Sequence, residues 1–256
     1  MKEAAYIVKD LSFHWQKGKP ILHNINLSIK PGIMTVIAGQ NGSGKSTLIK
    51  LLAGLLTPIH GEILFYNKPL SYYNKKTLAK HMAYVEQNTE EHIHLTVRNI
   101  VSLGTFPHRK LLETCSDETD SKIEEALNTT GTNHLSERYF NTLSGGEKQK
   151  VMIARGVCQS SSVLLLDEPT SALDVKNRIE IMELLRKLIA LRGITIILIS
   201  HDFNLISRYA DEVIFLKECH SIQGQKKSIL TQENMLSTFE TSIKSTVIEG
   251  ETIFYY

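Results

Sequence analysis

Cysteine is scarce: Cys115, Cys158 and Cys219 are odd in number, far apart and never in a C-x-x-C pair. This excludes a disulfide framework, offers no metal or redox motif, and leaves three free thiols suited to a reducing, cytosolic compartment. Long apolar runs are missing as well. The longest uncharged stretch, Pro31 to Gly44, has 14 residues, four of them glycine, too few to cross a bilayer. Met1-Lys2-Glu3-Ala4-Ala5-Tyr6 holds no apolar stretch of signal-peptide length, so no secretory leader is expected. Neither sign of charge dominates: 29 Lys+Arg face 27 Asp+Glu, a formal net charge of +2, which gives no broad grip on nucleic acid. Heptad runs, internal repeats and low-complexity tracts are also absent. Membrane-spanning chains, secreted scaffolds and fibres are thereby set aside. What is present, 256 residues of which 42% are hydrophobic and 22% charged, suits one large domain or two small ones with a substantial core.

The dominant rhythm is a short apolar strand followed by a helix, which points to an α/β fold with a parallel sheet. Ile33 to Ala38 is expected as a strand, and Lys45 to Leu56 as a helix stopped near Thr57-Pro58. Val163 to Leu166 has the unbroken apolar character of a fully buried strand. From Asn177 to Leu191 the residues Ile181, Leu184, Leu185 and Leu188 recur at helical spacing, and Gly193 marks that helix's end. Ile194 to Ile199, rich in β-branched residues, and Glu212 to Lys217 are further strands. Asn88 to Asn141 is more polar, with turn signals at Phe106-Pro107 and Thr130-Gly131-Thr132, and reads as an inserted helical subdomain. Its His92 and His94 alternate as metal ligands can, but no second cluster matches them, so a solvated loop is the better reading. Glu240 to Tyr256 alternates Ile, Val and Phe in a way that suggests strand packing and carries no mechanistic signal.

Three segments carry chemistry. Gly39-Gln40-Asn41-Gly42-Ser43-Gly44-Lys45-Ser46 matches G-x-x-x-x-G-K-[ST], between an expected strand and an expected helix. Glycines let backbone N–H groups turn inward and cradle phosphate at a helix start. Lys45 would place its charge on the terminal phosphates and Ser46 its hydroxyl on Mg²⁺. Asp167 and Glu168 end an apolar strand, where both carboxylates reach the C-terminal edge of the sheet. Asp167 would hold Mg²⁺, and Glu168 would orient or polarise the attacking water. Leu143-Ser144-Gly145-Gly146-Glu147 opens a helix with Val151, Ala154 and Val157 on one face. Its Ser-x-x-Glu spacing is a capping box, and a serine hydroxyl with glycine N–H groups can also bind phosphate; both can hold at once.

Together these segments make the chain resemble the ATP-binding subunit of ABC transporters over nearly its whole length, with Leu143 to Glu147 as the LSGGQ-like signature. On that resemblance Gln87 is the Q-loop glutamine, a Mg²⁺ ligand and a link to the membrane subunit. Ser171-Ala172-Leu173-Asp174 is the D-loop at the dimer interface, and His201 is the switch histidine on the γ-phosphate. Trp15 stands where the family usually stacks a Tyr on adenine. The implied ATP site comprises Trp15, Gly39, Gln40, Asn41, Gly42, Ser43, Gly44, Lys45, Ser46, Thr47 and Ser144, Gly145, Gly146, Glu147. Glu168 and His201 are the implied catalytic pair, and Ser46, Gln87 and Asp167 the Mg²⁺ ligands.

The implied fold is a single ABC ATPase domain over 1–256. It has a P-loop NTPase (RecA-like) core with a parallel sheet and an N-terminal antiparallel β portion (1–87 and 159–256), and an inserted α-helical subdomain (88–158). Gly104-Thr105-Phe106-Pro107-His108, His201 to Asp211 and Ile229 to Leu236 resemble segments of the importer ATPases for iron-siderophore, haem and cobalamin. Thr105 replaces their usual Arg, Gln40 their Pro, and Lys148 and Lys150 stand where Arg is common. The resemblance implies an ATPase energising such an importer from the cytoplasmic face of the membrane. It would act with transmembrane permease subunits, indirectly with an extracytoplasmic substrate-binding protein, and with a second ATPase subunit as a homodimer. An exporter or another importer shares every nucleotide motif. A soluble ABC-type ATPase acting on nucleic acid or ribosomes is the alternative of another class, disfavoured by one motif set, near-neutral charge and no heptad run.

Overall fold

The structure, a computed structural model, describes residues 4–87, 93–109, 117–241, 243–248 and 251–255. The chain begins with β1 (Tyr6–Gln16), β2 (Lys19–Ile29), β3 (Met34–Gly39), α1 (Lys45–Leu52), β4 (His60–Phe65), β5 (Lys68–Pro69), α2 (Lys75–Leu78) and β6 (Met82–Val85). A helical stretch follows, with α3 (Val97–Ser102), α4 (Asp117–Thr130) and α5 (Gly145–Cys158). Then come β7 (Val163–Leu166), α6 (Val175–Arg192), β8 (Thr195–Ile199), α7 (Phe203–Tyr209), β9 (Glu212–Lys217) and β10 (His220–Gln225). The chain closes with α8 (Lys226–Ile229), α9 (Gln232–Phe239), β11 (Lys244–Ile248) and β12 (Glu251–Tyr255).

The central layer is a sheet in the order β10-β9-β3-β8-β7-β6, parallel from β9 to β6, with β10 antiparallel on its edge. Its inner strands are mostly apolar, as suits a sheet covered on both faces, with Thr35, Thr195 and Glu212 as buried polar exceptions. Successive side chains point to opposite faces. Val36, Leu164, Leu166, Ile196 and Leu198 therefore join one core, with α5, α6 and α7. Ile37, Val163, Leu165, Ile197 and Ile199 join the other, beneath α1 and the antiparallel sheet β2-β1-β4-β5. Between β6 and β7 the helices α3, α4 and α5 meet through Val97, Ile100, Ile123, Leu127, Val151 and Ala154, continuous with the first core. No helix among the described residues is long and apolar enough to cross a membrane.

One boundary differs from expectation. α1 stops at Leu52, not Leu56, because Gly54 turns left-handed at φ 67°. Gly54 N–H donates to Leu51 O at 3.0 Å and Leu55 N–H to Lys50 O at 2.9 Å, the paired bonds of a Schellman closure. The proline thus follows a helix that glycine has already ended. Gly193, by contrast, ends α6 as expected, left-handed at φ 63°.

Gly104 to His108 is a packing device. A Cβ on Gly104 would lie 2.3 Å from the Arg155 carbonyl of α5, so only glycine lets the two segments meet so closely. His108 Nε2 then lies 2.9 Å from the Gln159 carbonyl at the end of α5, satisfying a terminal helix carbonyl. His94 Nδ1 sits 3.3 Å from Asn141 Nδ2, while His92 lies outside the described residues, as does Cys115.

Candidate functional site

Parallel strands deliver their C-terminal ends to one edge of the sheet. Adjacent β3, β8, β7 and β6 are followed, in that spatial order, by the Gly39–Ser46 loop, His201, Asp167-Glu168 and Gln87. Residues distant in sequence become neighbours for that reason alone. Ser46 Oγ donates to Asp167 Oδ1 at 3.2 Å, and Gln87 Nε2 donates to Glu168 Oε2 at 2.9 Å. His201 Nε2 lies 2.9 Å from Glu168 Oε1. One carboxylate is thus held between two strand ends. Glu168 itself sits at φ 50°, a left-handed conformation costly for a side-chain-bearing residue and typical of functional positions.

The loop after β3 is built to receive an anion. Gly39, Gly42 and Gly44 all have positive φ, and a Cβ on Gly39 would lie 2.3 Å from Leu216 O of β9. Asn74, Thr96, Ser144, Asp174, Asp202 and Thr231 cap their helices with side chains, whereas α1, like the one-turn α8 at Gln225, starts at Gly44 with no side-chain cap. Its first N–H groups are left for another acceptor, at the positive end of the helix dipole. Ser43 Oγ is buried there with no hydrogen-bond partner. Lys45, only 6% exposed, folds back so that Nζ donates to Gly39 O at 3.0 Å and Gln40 O at 2.8 Å. Burial lowers its ammonium pKa, with Glu168 and Asp167 pulling the other way. An uncapped helix start, an orphaned hydroxyl and a folded-back cation fit a polyphosphate.

Burial is also the main cause that raises the Asp167 carboxyl pKa, opposed first by the Ser46 hydroxyl. Tyr84 OH reaches Asp167 Oδ2 at 3.5 Å. The Ser46 hydroxyl and Asp167 carboxylate form an oxygen donor pair of the kind a small, hard divalent cation takes, whereas Gln87 turns its amide nitrogen to Glu168 and Ser171. Trp15, 65% exposed, meets the Phe13 ring edge-on at 5.2 Å, and its Nε1 donates to Thr47 Oγ1 at 3.2 Å, which joins it to the first turn of α1.

Ser144 to Glu147 form the capping box the spacing suggests. Glu147 N–H donates to Ser144 Oγ at 3.4 Å and Ser144 N–H donates to Glu147 Oε2 at 2.8 Å. A Cβ on Gly146 would lie 2.4 Å from Asn177 Oδ1, which brings the signature against α6. The Ser144 N–H and then its hydroxyl hold the Glu147 carboxyl below the usual range. Because that folded value lies below the unfolded one, its contribution is full above about pH 4.3 and is lost as pH falls through the folded value. Ser144→Ala should therefore cost about 1 kcal/mol, lower Tm by about 2–4 °C, and show a narrowing deficit in acid. Thermal melts across pH check this; an unchanged Tm at pH 7 would count against the cap.

Motif reading missed the groups that tie these pieces together. Arg178 of α6 donates from Nε to Leu173 O at 2.7 Å and lies 3.6 Å from Asp202, linking the Ser171–Asp174 loop to the residue after His201. A lone arginine on a helix gives no periodic signal. Asp202 could have been found as a helix N-cap, since its carboxylate accepts from Asn204 and Leu205.

The comparisons with known proteins bear on this geometry. The family model described as ABC transporter matches residues 22–171. The ferric enterobactin transport ATP-binding protein of Escherichia coli is 36% identical over 83% of this chain and 79% of its own. A metal-chelate type ABC transporter, solved in an inward-facing conformation, is 28% identical with a TM-score of 0.87, covering 100% of this chain and 97% of that one. A dimeric ATP-binding cassette in a post-hydrolysis state with ADP and Pi is 29% identical with a TM-score of 0.75, covering 86% and 98%. The chain belongs to the ABC transporter family and is one of its ATP-binding, ATP-hydrolysing subunits.

Proposed function

We propose that this ATPase energises an importer for a metal chelate, an iron-siderophore or a related complex such as haem or cobalamin. It works at the cytoplasmic face of the membrane, docked on permease subunits that receive cargo from an extracytoplasmic binding protein. The observation that carries the chemistry is the meeting of Ser46 with Asp167, and of Gln87 and His201 with Glu168, at one sheet edge. The cargo class is supported by the enterobactin and metal-chelate relatives and by the segments Gly104 to His108 and His201 to Asp211.

Backbone N–H groups from Gly39 to Thr47, including Gln40, Asn41, Gly42, Ser43 and Gly44, cradle the ATP phosphates against the uncapped start of α1. Lys45 swings from its two loop carbonyls to the terminal phosphates, and the Ser43 hydroxyl finds its partner on a phosphate oxygen. Trp15 stacks on adenine. Ser46, Asp167 and Gln87 hold Mg²⁺, which offsets the phosphates' negative charge when bound. Glu168 orients the attacking water and accepts its proton; His201 contacts the γ-phosphate and steadies Glu168. Ser144, Gly145, Gly146 and Glu147 act from the second copy, closing the site across a two-fold interface traversed by Ser171 to Asp174. Closing on ATP and reopening after hydrolysis is the motion passed to the permease.

A tagged pull-down from detergent-solubilised membranes of the source organism tests this reading. Recovery of a multi-span permease, with its binding protein leading to the cargo, is the expected result. Recovery of ribosomal or DNA-associated partners alone would contradict it.

A further inference from the structure

His201 stands where β8 ends and α7 begins, so whatever fixes the first turn of α7 also fixes His201. Asp202 caps that turn, accepting from Asn204 N–H and Leu205 N–H at 3.1 Å each. The side chain of Asn204, the second helical residue, points away to the C-terminal hairpin. Phe254 N–H donates to Asn204 Oδ1 at 2.8 Å, and Asn204 Nδ2 donates to Phe254 O at 3.3 Å. One amide therefore takes both backbone groups of a β12 residue, as a neighbouring strand would. The Phe254 ring is buried in the helical-side core, 6.1 Å from the ring of Phe203.

Neither partner is self-sufficient. A two-stranded hairpin is at best marginal alone, and α7 has only seven residues, too few to hold its own direction. Docked, they define one another. Phe254 also lines the cavity of about 420 Å³ that contains Glu168 and His201, so the hairpin forms part of the wall of the site.

We propose that the C-terminal hairpin β11–β12, docked through Asn204 and Phe254, is a positioning element that fixes the first turn of α7 and holds His201 within reach of Glu168. Asn204 and Phe254 are positioning residues, acting through His201. This inference rests on the catalytic role proposed above for His201.

The test compares the full wild-type chain with Asn204→Ala, Asn204→Asp and His201→Ala. ATP hydrolysis gives kcat and KM, and ¹H–¹⁵N correlation of the His201 ring reports its surroundings. Asn204→Ala should lower kcat about tenfold, leave KM within about twofold, and shift or broaden the His201 ring signals. Asn204→Asp, which keeps the acceptor for Phe254 N–H but loses the donor, should fall between. An unchanged kcat, or a loss with His201 ring signals like those of the wild type, would overturn the inference. Should His201→Ala hydrolyse ATP at the wild-type rate, the role of His201 fails first and the inference fails with it. Should His201→Ala be slow and Asn204→Ala not, the positioning role alone is lost.

Discussion

Glu168→Gln should bind ATP and barely hydrolyse it, with kcat down about 10²- to 10⁴-fold, the usual worth of a positioned proton acceptor. The reason lies in the geometry. Glu168 is held at φ 50° with Gln87 and His201 each 2.9 Å from its two oxygens, so its carboxylate is aimed by both neighbouring strand ends. Glutamine matches glutamate in size and can keep a contact with His201, but it has no lone-pair base of useful strength. Binding and closure survive while the water loses its proton acceptor, so the variant should accumulate as an ATP-bound dimer. Steady-state hydrolysis and size-exclusion chromatography with and without ATP check both halves. Hydrolysis at the wild-type rate would remove the role given to Glu168.

Lys45→Met should have the second large effect, and of opposite sign for stability and for binding. In the binding mode proposed above the ammonium gives its charge-assisted hydrogen bonds to phosphate, so its loss should weaken ATP binding about 100-fold or more. Without nucleotide the same ammonium is buried, and burial lowers its pKa. A lysine whose folded pKa lies below its unfolded value costs stability while protonated, a cost relieved as pH rises through the folded value. Methionine keeps the stem and removes that cost. Nucleotide-free Lys45→Met should therefore melt at or above the wild-type temperature at pH 7. Calorimetric titration with ATP and thermal melts test the pair; a lower Tm together with normal ATP affinity would contradict the account.

Much of this site was legible because its chemistry is local in sequence. The loop from Gly39 to Ser46 sits between β3 and α1, and Asp167-Glu168 directly follow the unbroken apolar β7. Gln87 and His201 have no such local mark. They became legible only through their order along the family pattern, and the sheet order β3-β8-β7-β6 is the physical reason they converge. The end of α1 was misjudged because Pro58 is a louder stop signal than Gly54, although the left-handed glycine closes the helix first. Gly104 to His108 looked like a family mark, and its local reason, a backbone approach too close for a Cβ, needs α5 in place to be seen. The tail suggested strands, which β11 and β12 are, but its contact with Asn204 joins residues 50 apart in sequence.

The central claim is that ATP is hydrolysed between two copies of this chain, the loop of one facing the signature of the other. Two disabled variants mixed together test it most directly: Lys45→Ala, which lacks the loop cation, and Ser144→Arg, which blocks the signature. Each alone should be inactive. In a mixed dimer, however, the intact loop of one chain meets the intact signature of the other, and random pairing should restore about a quarter of the wild-type sites. Recovery of ATP hydrolysis on mixing is the predicted result. A mixture as inactive as its components, or a Ser144→Arg chain active by itself, would contradict the shared site.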